Sequence, residues 1–174
     1  EGLVYPEFDQ VAALPPGEVF YGLDFGFSDD PAVLTAHVIH GNDLYSQELI
    51  YERGLTNPDL CARMAQLGIQ KSAEIFADSA EPKSIEEIYR RGWNIKPVGK
   101  GPDSVEYGHQ KVRQYRLHWT QDSLNCIKEQ RNFRYVADKN GKLTEKTTHL
   151  YSHGMDSRRY AVVGYTGRAP FLMG

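Results

Sequence analysis

The chain has 174 residues, 40% of them hydrophobic, and a formal net charge of −3, which is enough for one globular domain with a proper core and argues against a second. Its two cysteines, Cys61 and Cys126, are far apart and form no CxxC pair, so neither a disulfide framework nor a zinc site is suggested and a reducing, intracellular setting fits. No apolar run reaches the length of a membrane span, and EGLVYPEFDQ has neither the basic nor the hydrophobic part of a secretory signal.

Residues 1–18 open on Glu rather than Met and are polar and Pro-rich (YPEFDQVAALPPGE). They read as a linker leading in from a longer polypeptide, with the globular unit over 19–174. EVFYGLDFG, PAVLTAHVIHG and DLYSQELIYERG follow as three β-rich runs, the last two joined by the tight turn HGND, and they predict an antiparallel meander. Asp24 stands inside the first run. A carboxylate in line with buried apolar neighbours costs several kcal/mol unless a partner or metal compensates it, although Asp and Gly are also ordinary turn residues. Asp29 and Asp30 are assigned to the turn before Pro31.

TNPDLCARMAQLGI has the start and stop signals of an amphipathic helix. EIFADS is a short β-type run ending in Asp78. EPKSIEEIYRRG then turns helical, with Glu81 and Pro82 at its start, Arg90 and Arg91 late and Gly92 as the stop. WNIKPV is a further short strand, GPDSVEYGHQKVRQY a basic helix, RLHWT a strand and DSLNCIKEQRNF a helix. Strands alternating with helices after an initial meander predict an α/β layered sheet with mixed strand directions. FRYVADKNGKLTEKT, residues 133–147, is the clearest hairpin, with Asn140-Gly141 suited to a tight turn. Finally HGMDSRRYAVVGY places His153 and Asp156 three apart at the head of an apolar helix, where they share a face.

The small net charge conceals an asymmetry. Residues 1–82 hold 3 Lys/Arg against 14 Asp/Glu, a net of −11, and residues 83–174 hold 17 against 9, a net of +8. A basic half with Arg134, Lys139, Lys142 and Lys146 in its hairpin is what contact with a phosphate backbone needs, since affinity there comes from local counterion release. A solvated, salt-bridged surface would carry the same charges.

Asp24, Asp78 and Asp156, with His153 one turn before the last, come from separate elements. Such a set suits hard divalent cations, Mg²⁺ or Mn²⁺, with the imidazole tilting the preference toward Mn²⁺. Two carboxylates about 4 Å apart repel by roughly 4 kcal/mol at an effective dielectric of 20, so convergence of these acids would call for an ion.

YGLDFGFSDDPAVL, FADSAEPKSIEEIYRRGWNI, the hairpin with KNGK and HGMDSRRYAV, in this order across residues 19–165, resemble the C-terminal nuclease domain of large terminase subunits, the DNA-packaging motors of tailed bacteriophages. The resemblance implies an RNase H-like fold: a mixed β-sheet flanked by helices on both faces, here with an added basic β-hairpin. It implies an endonuclease that cuts concatemeric double-stranded DNA with little sequence specificity by a two-metal mechanism, with Asp24, Asp78 and Asp156 as catalytic residues and, with His153, as ligands of two Mg²⁺ or Mn²⁺ ions. Some relatives carry Glu at the second acid and other residues in place of His153. The implied partners are double-stranded DNA, an N-terminal ATPase domain of the same polypeptide, the small terminase subunit and the portal protein, with no membrane, in the cytoplasm of an infected bacterium. No GxxxxGK[ST] motif occurs in this chain, so ATP hydrolysis in that family's manner has no seat here. A Holliday-junction-resolvase-like nuclease also ends its acidic set on a His/Asp helix pair, and a non-catalytic DNA-clamping module would account for the basic half without explaining the acids. An actin-like phosphotransferase would need a second Gly-rich phosphate loop, which is absent from the sequence.

Overall fold

The structure, a computed structural model, describes residues 2–26, 28–99 and 104–168. Nine strands and five helices follow in the order β1 (Asp9–Val11), β2 (Phe20–Asp24), β3 (Ala32–His40), β4 (Asp43–Glu52), α1 (Asn57–Gln66), β5 (Ile75–Asp78), α2 (Pro82–Arg90), β6 (Ile95–Val98), α3 (Ser104–Arg113), β7 (Arg116–Thr120), α4 (Leu124–Asn132), β8 (Tyr135–Ala137), β9 (Leu143–Thr147) and α5 (His153–Thr166). Seven strands form one sheet in the order β1-β7-β4-β3-β2-β5-β6, and β8 pairs with β9 apart from it. The expected meander is β2-β3-β4, antiparallel throughout, whereas β2-β5, β5-β6, β4-β7 and β1-β7 are parallel. The first residues of the predicted basic helix, 101–103, and the end of the expected globular unit, 169–174, lie outside the described residues.

Strand side chains alternate between two cores, one on each face of the sheet. Leu23, Leu34, Ile75, Ala77 and Ile95 pack with Leu60 and Met64 of α1 and Ile85 and Ile88 of α2. Phe20, Val33, Leu44, Phe76, Leu117 and Trp119 pack with Val112 of α3, Cys126 and Ile127 of α4, and Met155, Tyr160 and Ala161 of α5. The helices thus cover both faces, which explains why β3 reads as a continuous apolar run rather than an alternating one. α1 starts on a reciprocal cap: Thr56 Oγ1 accepts from the Asp59 amide at 3.1 Å and Asp59 accepts from the Thr56 amide at 3.0 Å.

Residues 1–18, expected as a linker, are tied into the fold along part of their length. Val4 and Tyr5 are each 1% exposed, and Val4 N donates to Phe133 O at 3.0 Å. Tyr5 is held by what lies beneath it: its hydroxyl meets His109 Nδ1 at 2.5 Å, and the Arg158 guanidinium sits 4.7 Å from its ring centroid. β1 then adds to the edge of the sheet beside β7. The hairpin also differs in detail. Ala137 pairs with Leu143, so five residues, 138–142, make the turn. Asp138 Oδ1 accepts from the amides of Asn140 and Lys142 at 2.9 Å, and only Gly141, at φ 81°, takes the left-handed conformation that Asn140-Gly141 was expected to share.

Candidate metal centre

Side-chain alternation decides where the acids of the strands point. Phe20 and Phe76 face α5, so with a period of two Asp24 of β2 and Asp78 of β5 face it as well. β2 and β5 are parallel neighbours in register at Leu23 and Ala77, which brings Asp24 and Asp78 to adjacent strand ends. α5 crosses this end of the sheet closely because Gly22 has no side chain: a Cβ there would run into the Ser157 carbonyl oxygen, and Ser157 Oγ instead donates to Gly22 O at 2.8 Å. Asp156, one residue earlier on α5, is thereby carried over the two strand ends.

The start of α5 is fixed by a buried acid that no pattern in the sequence singles out. Glu129, on α4, accepts from the Gly154 amide at 2.6 Å and from the Tyr51 hydroxyl at 2.6 Å. A carboxylate there meets the free amides and positive end of the helix, while burial raises its pKa. Gly154 is required at this contact, since a Cβ would lie 2.5 Å from Cys126 Sγ and 3.0 Å from Glu129 Oε1. His153 is set in place by the same junction.

Of the four expected residues, His153 touches Asp24, while Asp78 and Asp156 act on Asp24 through their charges. His153 Nδ1 is 3.4 Å from Asp24 Oδ2. Asp78 accepts from the Ala80 amide at 3.0 Å and from the Tyr160 hydroxyl at 3.2 Å. Asp156 accepts from Arg159 Nη2 at 3.2 Å. Protonation follows this crowding. Burial, and then the charges of Asp156 and Asp78, push the Asp24 carboxyl up to about 7 against the pull of His153. Burial also raises Asp156, opposed by Arg159 and His153 and assisted by Asp78. For His153 burial works downward, but the Asp24 contact and the charges of Glu129 and Asp30 raise it overall. Glu81, the residue preceding the first turn of α2, is raised by burial and by Asp78.

Three side chains around these residues were not foreseen. Arg159, with a side chain 7% exposed, brings a cation against Asp156 and stacks over Tyr160 at 4.8 Å. It fits because Gly108 of α3 leaves room: a Cβ there would lie 2.6 Å from Arg159 Cγ and Cδ. Asp30 keeps its place in the bend before Pro31, and its side chain reaches His149 Nε2 at 3.0 Å and His153 Nε2 at 3.5 Å. His149, four residues before His153, is the third; that spacing was the signal available in the sequence. Asp29 also stays in the turn, where its carbonyl accepts from Arg53 Nε at 2.5 Å.

Residues 24–163 match the family model described as terminase RNAseH like domain. The large terminase subunit of Bacillus phage SPP1 is 31% identical over 147 residues, covering 80% of this chain and 34% of that protein. The PBSX phage terminase large subunit of Bacillus subtilis (strain 168) is 29% identical over 147 residues, covering 83% of this chain and 34% of that protein. The chain therefore spans about a third of the length of the curated relatives it matches. Among solved structures, the nuclease domain of the SPP1 large terminase with bound Mn superposes with a TM-score of 0.75 at 28% identity, covering 86% of each chain. The mixed seven-stranded sheet with helices on both faces is the RNase H-like architecture of these nuclease domains.

Proposed function

The chain belongs to the terminase RNase H-like domain family, and from that premise we propose that it is a divalent-metal-dependent endonuclease of a viral DNA-packaging terminase, cutting concatemeric double-stranded DNA with little sequence preference. The observation that supports this reading is that Asp24 ends β2 beside β5, which ends in Asp78, with His153 of α5 3.4 Å from Asp24, and that Asp24 is pushed up to about 7 by burial and by the charges of Asp156 and Asp78. Buried carboxyls such as Asp24 and Asp156, whose charged forms burial disfavours, are relieved by a cation. The donor set fits one: carboxylate oxygens suit Mg²⁺ or Mn²⁺, and His153 favours Mn²⁺. The solved relative with bound Mn supports the same choice.

Asp24, Asp78 and Asp156 would hold two ions, with His153 completing the set. Such ions would supply an activated water and positive charge against the phosphate and its leaving 3′ oxygen. The chain's own residues do the holding. The Ala80 amide and the Tyr160 hydroxyl fix the two oxygens of Asp78, so that it enters as an oriented ligand. Arg159 offsets the charge of Asp156. The exposed hairpin residues Arg134, Lys139, Lys142 and Lys146 would contact the DNA backbone, which positions a duplex without reading its sequence.

Residues 19–174 would form the nuclease unit, with 1–18 as the strap connecting it to an N-terminal ATPase domain on the same polypeptide. Small terminase subunit and portal protein would supply the specificity that the site lacks, in the cytoplasm of an infected bacterium. No helix among the described residues is long and apolar enough to cross a membrane.

The test is incubation with supercoiled plasmid in Mn²⁺, Mg²⁺ or EDTA, beside Asp24→Ala, Asp78→Ala and Asp156→Ala. Nicking and linearisation that need the ion and vanish in each variant are expected. DNA that is retarded on a gel but uncut in every condition would replace the nuclease with a clamping module.

A further inference from the structure

His153 offers one ring nitrogen to each of two carboxylates. Nδ1 faces Asp24 Oδ2 at 3.4 Å, and Nε2 faces Asp30 Oδ1 at 3.5 Å. The other oxygen of Asp30, Oδ2, lies 3.0 Å from His149 Nε2, and the two imidazoles meet edge to face with centroids 5.1 Å apart. Among the described residues, Asp30, His149 and His153 are a set whose ligand atoms all lie within 4.8 Å of one another. Three different segments supply them: the loop between β2 and β3, the turn before α5 and the first residue of α5. That turn is closed by Ser152 Oγ, which donates to His149 O at 2.7 Å, and it places residues 149 and 153 side by side.

We infer that Asp30, His149 and His153 form a second metal site, selective for a first-row transition cation of the Zn²⁺ type, which adjoins the carboxylate centre of Asp24, Asp78 and Asp156. Two imidazoles and one carboxylate are a donor set that Zn²⁺ and its neighbours accept and that leaves positions open for water, whereas Mg²⁺ demands oxygen ligands. The second nitrogen of His153 points the same way. A metal-bound histidine characteristically donates its other ring N–H to a carboxylate, which fixes the tautomer and the ring plane, and Asp24 stands where that acceptor belongs.

The two sites then share one residue. An ion on Nε2 places the remaining ring proton on Nδ1, which donates to Asp24 rather than joining it as a ligand. Transition-metal occupancy therefore withdraws His153 from the carboxylate centre and acts as a brake on cutting in Mg²⁺; this consequence, unlike the site itself, rests on the nuclease reading.

The experiment is titration of the metal-stripped protein with Co²⁺, followed by visible ligand-field absorption, then displacement by Zn²⁺. Wild type, His149→Ala, Asp30→Asn and Asp78→Asn are compared, with thermal melts to confirm folding. One bound Co²⁺ displaced by Zn²⁺ is expected, with an affinity at least about tenfold weaker in His149→Ala and Asp30→Asn and little change in Asp78→Asn. Affinity unchanged within about twofold in both His149→Ala and Asp30→Asn, or lost equally in Asp78→Asn, would overturn the site. Plasmid cutting in Mg²⁺ separates the two readings. His149→Ala should cut as wild type does and escape inhibition by Zn²⁺, whereas wild type that binds Co²⁺ but never cuts would remove the nuclease and leave this site standing.

Discussion

Asp24→Asn removes a charge and keeps the shape, and the pH dependence of the outcome follows from the environment of the carboxyl. Burial and the neighbouring acids raise it from 3.8 to about 7 in the folded protein. Because the folded value lies above the unfolded one, the stability it contributes is fully present below the unfolded value and is lost as pH rises through the folded value. Between pH 5 and pH 8 the metal-free wild type should lose about 2–3 kcal/mol from this group, at 1.36 kcal/mol per pH unit up to the folded pKa. Asn has nothing to titrate. His153 runs in the same direction, since its folded pKa is also raised, in part by Asp24, and the substitution removes that contribution too. Thermal melts in EDTA at the two pH values should therefore show the Asn variant gaining on wild type by roughly 4–12 °C between pH 5 and pH 8, for a domain of this size. Comparing the two pH values cancels every effect of the substitution that does not depend on pH. Saturating Mg²⁺ or Mn²⁺ at pH 8 should raise the wild type, by about 2.7 kcal/mol at a hundred times the dissociation constant, and not the variant. A difference between the two proteins that stays constant, or moves in the wild type's favour, from pH 5 to pH 8 would refute the raised Asp24 carboxyl.

Other substitutions test the frame around the site. Gly22→Ala drives a methyl group into the backbone of Ser157, where a rigid helix cannot yield, so chemical denaturation should show a loss of about 3 kcal/mol or more, with cutting lost as Asp156 is lifted away from Asp24. Arg158 is fully buried between the rings of Tyr5 and Trp119 with Gln130 Oε1 at 2.9 Å. Because burial lowers its pKa to about 10, Arg158→Met should leave stability within about 1 kcal/mol of wild type or raise it, as apolar replacements of buried charges often do; a loss above about 3 kcal/mol would show the guanidinium to be indispensable to the Tyr5 strap. Neutralising Lys139, Lys142 and Lys146 together should weaken DNA binding and flatten its dependence on log salt by about 0.9 per phosphate contact removed, as read by fluorescence anisotropy. An unchanged slope would take the hairpin off the DNA path.

Much of this arrangement could be read before any fold was known, because its signals are local. Alternating apolar residues, Pro and Gly limits and the HGND turn mark elements that depend on near neighbours, and β2 to β9 follow them in order. Asp24, Asp78 and Asp156 stood out because each lies at the end of an apolar strand or the start of an apolar helix, and the common orientation of Asp24 and Asp78 follows from strand periodicity once Phe20 and Phe76 are known to face α5. What escaped depends on neighbours distant in sequence. Val4 and Tyr5 look like part of a polar lead-in, and only Arg158 of α5 and His109 of α3, packed against Tyr5, make them core. Glu129 reads as one more acid on a helix until Gly154, 25 residues on, presents its amide. Asp30 has the chemistry of a turn residue, and nothing near it in sequence announces His149, 119 positions away. The hairpin turn was misjudged for a local reason: Asp138 organises two amides with its own side chain and lengthens the loop beyond the two residues that Asn-Gly indicates.

The proposed chemistry stands or falls with Asp24, Asp78 and Asp156 as the ligands of the catalytic cation. A crystal soaked in Mn²⁺ and measured at the manganese absorption edge would locate that ion. Anomalous peaks within ligand distance of these three carboxylates, absent in Asp24→Asn, are expected. Manganese bound elsewhere, with the three acids still crowded and carrying no ion, would contradict the assignment.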